Sequence, residues 1–532
     1  MKALLVVFAM MAVACSSGTS ENPVSVPSAS TVLGNDQNLV CWSATRSGTP
    51  GEARFREATE ELGLVEPLTG IYGHAAAWGD INDDGFPDLV AGTFADRPVE
   101  AYQFRGAEGP KPDRLLVSTP GLVVDEEWSE ELDRTSGALF ADLDGDGDDD
   151  LVLVRNARGE TSGRTVVFEN RDGSLVEAAE FNLGTFKGRT PTVADFDGDG
   201  LLDLYISEDR YGDTGGILFA NHGGFSFINV TAGSGLEGVA SLGARAVDLN
   251  EDRRPDLVLS TGIFVNVGDG RFLDVTPPGY VTESVGAEDD PAGVAVGDLN
   301  DDGRPDVVVG QHFRSTLEFE AKIPIRIFLN EFDGESVAFT DITEASGIPP
   351  FSTLAPHVHI ADIDNDSRPD IVTSASANGG QTPALFINQG GDVPRFLAVA
   401  GEGSAQYWVG APLADINHDG RLDMFAVEWE PSLPSLMFLN ESSTGHWLEV
   451  SVDGPGRGIG TVAIVETEAG ELIGRQEIGA GTGYSSGHQP IAHFGLGSHQ
   501  EVVLSLQSID GELAELGLVQ VDAHLRWPSG CG

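Results

Sequence analysis

Residues 80–90 read DINDDGFPDLV. Four carboxylates fall within nine residues, and the chain then turns apolar. Acids this close repel one another, so they need either open water or a cation between them. The same stretch recurs as DLDGDGDDDLVLV from Asp142, DFDGDGLLDLYIS from Asp195, DLNEDRRPDLVLS from Asp248, DLNDDGRPDVVVG from Asp298, DIDNDSRPDIVTS from Asp362 and DINHDGRLDMFAV from Asp415. Seven copies at intervals of 50 to 64 residues describe a repeating architecture rather than one globular core.

Each loop lies between short apolar or alternating runs, such as GVAVGD before Asp298 and DVVVG after it, which read as two β-strands. A second signature follows six of the seven: VVFENRDG, ILFANHGG, GIFVNVGDGRF, RIFLNEFDG, ALFINQGG and LMFLNES. The shared Phe-x-Asn reads as a strand entering a hairpin turn. About four strands per repeat is the content of one propeller blade. FREATEELGL from Phe55 resembles FTDITEASGI from Phe339 but precedes the first acidic loop, and the last loop lacks such a segment. The early strand is therefore expected to complete the final blade and close the ring. The expected fold is all-β, a seven-bladed β-propeller with a small C-terminal β-domain.

Counted from the first Asp, four positions carry oxygen side chains in every copy. Position 1 is Asp80, Asp142, Asp195, Asp248, Asp298, Asp362 and Asp415; position 3 is Asn82, Asp144, Asp197, Asn250, Asn300, Asp364 and Asn417. Position 5 is Asp84, Asp146, Asp199, Asp252, Asp302, Asp366 and Asp419; position 9 is Asp88, Asp150, Asp203, Asp256, Asp306, Asp370 and Asp423. Position 7 varies (Phe86, Asp148, Leu201, Arg254, Arg304, Arg368, Arg421), as expected where only a main-chain carbonyl points inward. Hard oxygen donors around a central turn suit Ca²⁺, up to one ion per loop. The flanking strands and the missing Glu at position 12 set these loops apart from EF-hands, and zinc would want Cys or His. Arg253 and Ser367 replace the usual Gly at position 6.

These loops with their strands and Phe-x-Asn turns resemble the FG-GAP/VCBS repeats of integrin-α-like propellers, over residues 51–440. Residues 441–532, from HWLEVSVDGPGRGIGTVAIVETEAGELIGRQEIGAGTGYSSGHQPIAHFGLG to HLRWPSG, resemble an ASPIC/UnbV domain. Together they resemble the bacterial relatives of cartilage acidic protein. Ser485, Ser486, Gly487 and His488 depart from the Ser-Gln-like run usual after the Gly-Tyr. The resemblance implies calcium held in the acidic loops and a surface binding or adhesion role.

The remaining composition bounds the function. Across 532 residues, 84 acids against 30 bases give a formal charge of -54, which disfavours nucleic acid and anionic membrane as partners. MKALLVVFAMMAVACSS reads as a secretory signal over 1–14, with Cys15 as a lipidation site in a lipobox-like AVAC. A polar tether is expected over 15–50, and Cys41 with Cys531 forms a candidate disulfide. These features place the chain as an exported lipoprotein at a bacterial outer membrane or cell surface, with periplasmic or secreted forms as alternatives. Contact with the membrane is expected only through the lipid.

No HExxH or phosphate loop is present. His357 and His359 read as strand packing, Tyr484 with His488 and His493 as a polar turn, and Trp78, Trp128, Trp408 and Trp429 as core. The leading functional expectation is a calcium-stabilised propeller that binds glycans or proteins. A calcium-dependent polysaccharide lyase is the first alternative, though its basic, tyrosine-bearing cleft looks poorly supplied with 7 Tyr and few bases. A structural envelope component is the second.

Overall fold

The computed structural model describes residues 39–43, 53–118, 121–125, 128–158, 163–209, 212, 214–281, 291–312, 325–350, 357–373, 384–399, 407–442 and 445–528. Seven blades, each of four antiparallel strands, carry one acidic loop apiece between their first and second strands, and the sheet of blade I gains a fifth strand from the C-terminal unit. Blade I comprises Gly73–Gly79, Asp88–Thr93, Arg114–Ser118 and Leu122–Val124; blade II runs from Thr135–Ala141 to Ser174–Gly184, and blade III from Gly188–Ala194 to Phe227–Asn229. Blade IV spans Ala244–Val247 to Phe272–Asp274, blade V Pro291–Gly297 to Phe339–Asp341, and blade VI Val358–Ala361 to Phe396–Val399. Blade VII contains Leu413–Ala414, Asp423–Ala426 and Leu436–Asn440. Its outer strand is Phe55–Glu57, with Phe55 opposite Asn440.

Ring closure by the early strand is therefore as the repeat pattern indicates. Seven apolar clusters confirm it, one between each pair of neighbouring blades. Trp78 and Phe425 join blades I and VII, while Trp408, Met424 and Ile363 join VII and VI. First strands are rich in Gly and Ala because they converge on the axis. A Cβ on Gly137 would lie 2.0 Å from the Arg189 carbonyl oxygen, so a larger residue there would force the blades apart.

The C-terminal unit is a sandwich of two four-stranded sheets around an apolar core that includes Leu448, Phe494, Val502, Leu504 and Leu525. One sheet contains a strand not expected from the sequence. Leu39–Ser43, read above as tether, pairs antiparallel with Ala523–Trp527. The alternation in LVCWS supports an edge strand, but a five-residue run isolated in polar sequence offered no partner to argue for. Cys41 thus falls within a strand, while Cys531 and Cys15 lie outside the described residues. Among the described residues no helix is long and apolar enough to cross a membrane.

The two units are joined through the propeller axis. Residues 478–490 leave the sandwich as a finger, and Ser486–Gly487 pair parallel with Ala76 and Ala77 on the inner edge of blade I. Ala138 of blade II donates its N–H to the Ser485 carbonyl, and Ser485 N–H donates to Thr190 Oγ1 of blade III. Ser485 Oγ donates to the His74 carbonyl at 3.0 Å. Such close approach requires glycine: Gly483 has φ +83°, and a Cβ there would sit 1.7 Å from the Val294 carbonyl oxygen.

Candidate functional site

All seven acidic loops share one hydrogen-bonded frame. The position-5 N–H donates to one oxygen of the position-1 carboxylate, at 3.0 to 3.2 Å. The position-6 N–H donates to its other oxygen, at 2.6 to 3.1 Å. The position-7 N–H donates to the position-5 carboxylate, at 2.9 to 3.2 Å. To aim three consecutive N–H groups inward, the backbone turns left-handed at positions 4 and 6. That explains the usual Gly at position 6; Arg253 (φ 65°) and Ser367 (φ 76°) take the same conformation at a cost of about 1 kcal/mol. Both replacements therefore keep the loop geometry.

The position-9 carboxylate is the loop's buried anchor. One oxygen accepts the position-2 N–H, as from Leu299 to Asp306 at 2.9 Å, and the other accepts an N–H from the third strand, as from Asn330 at 2.8 Å. Burial nevertheless dominates: it pushes Asp88 and Asp203 up to about 7, and Asp150 and Asp306 up to about 8. Asp80 is raised to about 7 by burial first and by neighbouring Asp149 next. Burial thus disfavours the ionised form of these acids, a penalty that a bound cation would relieve.

The loops divide into two kinds. Carboxylate oxygens of Asp142, Asp144 and Asp146, of Asp195, Asp197 and Asp199, and of Asp362, Asp364 and Asp370 approach within 4.8 Å of one another and could hold a metal ion. Four other loops have Asn at position 3: Asn82, Asn250 and Asn300 are turned toward the position-5 carboxylate, and Asn417 is exposed. In loops IV to VII the position-7 arginine does more than offer a carbonyl. Arg254, Arg304, Arg368 and Arg421 fold back onto Asp252, Asp302, Asp366 and Asp419. These loops carry a resident cation beside the position-5 acid. Phe86, Asp148 and Leu201 give loops I to III no such neutralisation.

The Phe-x-Asn motif acquires a role that strand reading missed. The Asn amide reaches back to the position-2 carbonyl of the preceding blade: Asn170 to Ile81, Asn221 to Leu143, Asn266 to Phe196, Asn330 to Leu249, Asn388 to Leu299 and Asn440 to Ile363, all at 2.8 to 2.9 Å. Loops I to VI are thereby each tied to the next blade. Blade I has Ser118 at this place.

The C-terminal sandwich covers the loop face. Gly456 N–H donates to Asp142 at 2.9 Å, Arg457 to the Gly147 carbonyl at 2.7 Å, and Arg526 to Asp83 at 3.0 Å. Arg253, the atypical position-6 residue, donates to the Asp510 carbonyl. Between the units lies a cavity of about 180 Å³ lined by Arg245, His359, Asp415, Glu449, His488 and His493. Burial, with Arg245 nearby, lowers His488 to about 4, so it is a neutral imidazole. His357 and His359 pack with ring centroids 5.4 Å apart, as strand neighbours on one side.

Trp78 and Trp408 are core, as read from the sequence. Trp429 is only partly buried and belongs to an aromatic group at the open end of the axis, with Tyr72, His74, Phe94 and Tyr407. Tyr484, at the finger tip, lies 6.2 Å from His74. The base-poor composition concealed a cluster here: Arg97, Arg105, Arg134 and Arg189 all approach these rings.

Ring, loops and finger make up a β-propeller carrying a C-terminal β-sandwich, and stretches of both units are similar to known families. The FG-GAP-like repeat model matches residues 137–206 and 260–309, and the ASPIC and UnbV model matches 453–526. The chain is similar to cartilage acidic protein 1. It is 26% identical to that of Mus musculus over 495 residues, covering 82% of this chain and 70% of the relative, and 26% identical to that of Homo sapiens over 493 residues, covering 82% and 68%. Among solved structures it resembles the exotype rhamnogalacturonan lyase YesX (TM-score 0.42, 12% identity, 77% of this chain and 76% of that one) and the Dos1 propeller (TM-score 0.37, 13% identity, 70% and 86%). These two likenesses are too loose to carry chemistry across.

Proposed function

We propose that this protein is an exported, calcium-stabilised binding module, anchored through Cys15, that recognises a glycan or protein at the cell surface. The observation carrying the calcium assignment is the sevenfold frame of oxygen side chains around inward N–H groups, with acids whose pKa is raised first by burial. Calcium tolerates such mixed carboxylate, amide and carbonyl shells, whereas magnesium demands a stricter octahedron. Position-1, -3, -5 and -9 side chains and the position-7 carbonyl would hold the ion. Binding in the folded state alone stabilises that state, by about 4 kcal/mol per site when calcium is 1,000 times its Kd.

The sandwich occupies the loop face, so the opposite end of the axis is the face left for a ligand. The test has two arms on the delipidated full chain. Exhaustive chelation followed by millimolar calcium is expected to restore bound metal and raise Tm; no bound metal and an unchanged Tm would end the calcium reading. Retention on a panel of acidic and neutral polysaccharides and on proteins, with and without chelator, tests the binding role. Shortened, unsaturated products in that assay would make the protein a lyase instead.

A further inference from the structure

The axis has two ends. At the loop end, the sandwich is docked. At the other, the starts of the first strands and the ends of the second strands gather residues far apart in the chain. Arg97 follows the second strand of blade I, Arg134 precedes blade II, Arg189 opens blade III and Trp429 follows the second strand of blade VII. Tyr484 arrives there from the C-terminal domain, so neither unit builds this place alone.

Most of the arginines here already have a carboxylate. Arg189 pairs with Asp209 at 2.6 Å, Arg134 with Asp96 at 3.2 Å, and Arg105 with Glu430. Arg97 differs. Its guanidinium carbon stands 4.5 Å from the centre of the Tyr72 ring and 4.8 Å from that of Trp429, and it has no ion pair or hydrogen bond among the described residues. Its Nε is buried without an acceptor. A buried N–H left unpaired costs about 1–3 kcal/mol, and aromatic faces offset only part of that. Arg97 is only partly buried, and its terminal nitrogens hold a planar fork suited to a carboxylate. Beside it, Trp429 and Tyr407 are also partly exposed.

We propose that this end of the axis is a binding site for a uronate unit of an acidic polysaccharide, with Arg97 taking the carboxylate and Trp429 and Tyr407 meeting the sugar ring. A uronate presents both halves of the required chemistry on one pyranose: a planar anion and apolar C–H faces. An acidic protein of charge -54 repels a polyanion in general, so attraction has to come from an arginine without a carboxylate partner, such as Arg97. The proposal rests on the binding-module reading and locates the ligand on the propeller–finger junction rather than on the acidic loops.

The experiment uses the calcium-loaded full chain titrated with oligogalacturonate, a neutral oligogalactan of similar length and poly-glutamate. The wild type is expected to bind oligogalacturonate in preference to both others. Arg97→Gln is expected to weaken that binding about 10- to 100-fold with Tm little changed. Arg97→Lys keeps the charge but loses the fork and should fall between them, which guards against a folding defect in the first variant. Oligogalacturonate binding unaffected by Arg97→Gln overturns this site while leaving the binding-module reading intact. Poly-glutamate bound as well as oligogalacturonate overturns the saccharide assignment, and the absence of any oligogalacturonate binding by the wild type overturns the proposal outright.

Discussion

Replacing Asn330 by alanine isolates the clamp between blades. Asn330 is wholly buried; its Nδ2 donates to the Leu249 carbonyl of blade IV at 2.9 Å, and its Oδ1 accepts the Phe332 N–H at 3.0 Å. Losing the amide removes a net contribution of about 0.5–1.5 kcal/mol and strands a buried carbonyl at about 1–3 kcal/mol more. The expected loss is therefore about 3 kcal/mol, read as a lower midpoint in denaturant or a Tm lowered by several degrees, in saturating calcium. Leu273→Ala, at a surface leucine 58% exposed, is the control and should change stability by less than about 0.5 kcal/mol. Asn330→Asp tests the donor itself. It preserves shape but sets an oxygen against the Leu249 carbonyl and a second acid beside Asp306, whose Oδ1 accepts the Asn330 N–H. At neutral pH it should be more damaging than alanine, and acid should narrow the difference. An Asn330→Ala protein as stable as the Leu273→Ala control, or a well-tolerated Asn330→Asp, would refute the clamp.

Two further outcomes follow from the loops. Without calcium, the folded-state values of about 7 for Asp88 and about 8 for Asp150 and Asp306 exceed the ordinary value near 3.9, so their contribution to stability is full below about pH 4 and is lost as pH rises to about 8. Tm of the chelated protein should fall between about pH 5 and pH 8, and calcium should flatten the profile by favouring the ionised acids; a chelated Tm that rises with pH contradicts this. Gly420→Ala should cost more than Gly147→Ala, because both have positive φ (76° and 99°) but only the first would drive a Cβ to 2.1 Å from Trp447, whereas nothing lies within 4 Å at Gly147. About 1 kcal/mol is expected at Gly147 and at least about 2 at Gly420; equal Tm losses would remove Trp447 from the docking surface.

The repeat made much of the propeller legible. Loop spacing marked the blades, and the early FREATEELGL disclosed how the ring closes, because a missing strand at one end and a spare one at the other have one economical solution. The frame of N–H groups was legible only as a preference for Gly, since backbone direction leaves no other trace in composition. Position 7 was read as backbone alone, yet four of its arginines neutralise a neighbouring acid through contacts no spacing rule anticipates. The arginine–aromatic end was hidden for a different reason. Its members come from blades I, II, III and VII and from the finger, and a count of 30 bases says nothing about where four of them meet.

The pairing of Leu39–Ser43 with Ala523–Trp527, and of Phe55–Glu57 with Leu436–Asn440, has a consequence for the order of synthesis. A chain made from its N-terminus holds these two strands unpartnered until their later partners are made. The ring can shut only when residue 440 has emerged, and the sandwich sheet only when residue 527 has. A truncated product therefore exposes open sheet edges, which favours aggregation or proteolysis over a half-built but soluble protein. By pairing two early strands with partners made hundreds of residues later, the molecule makes the persistence of the earlier segments depend on the arrival of the later ones.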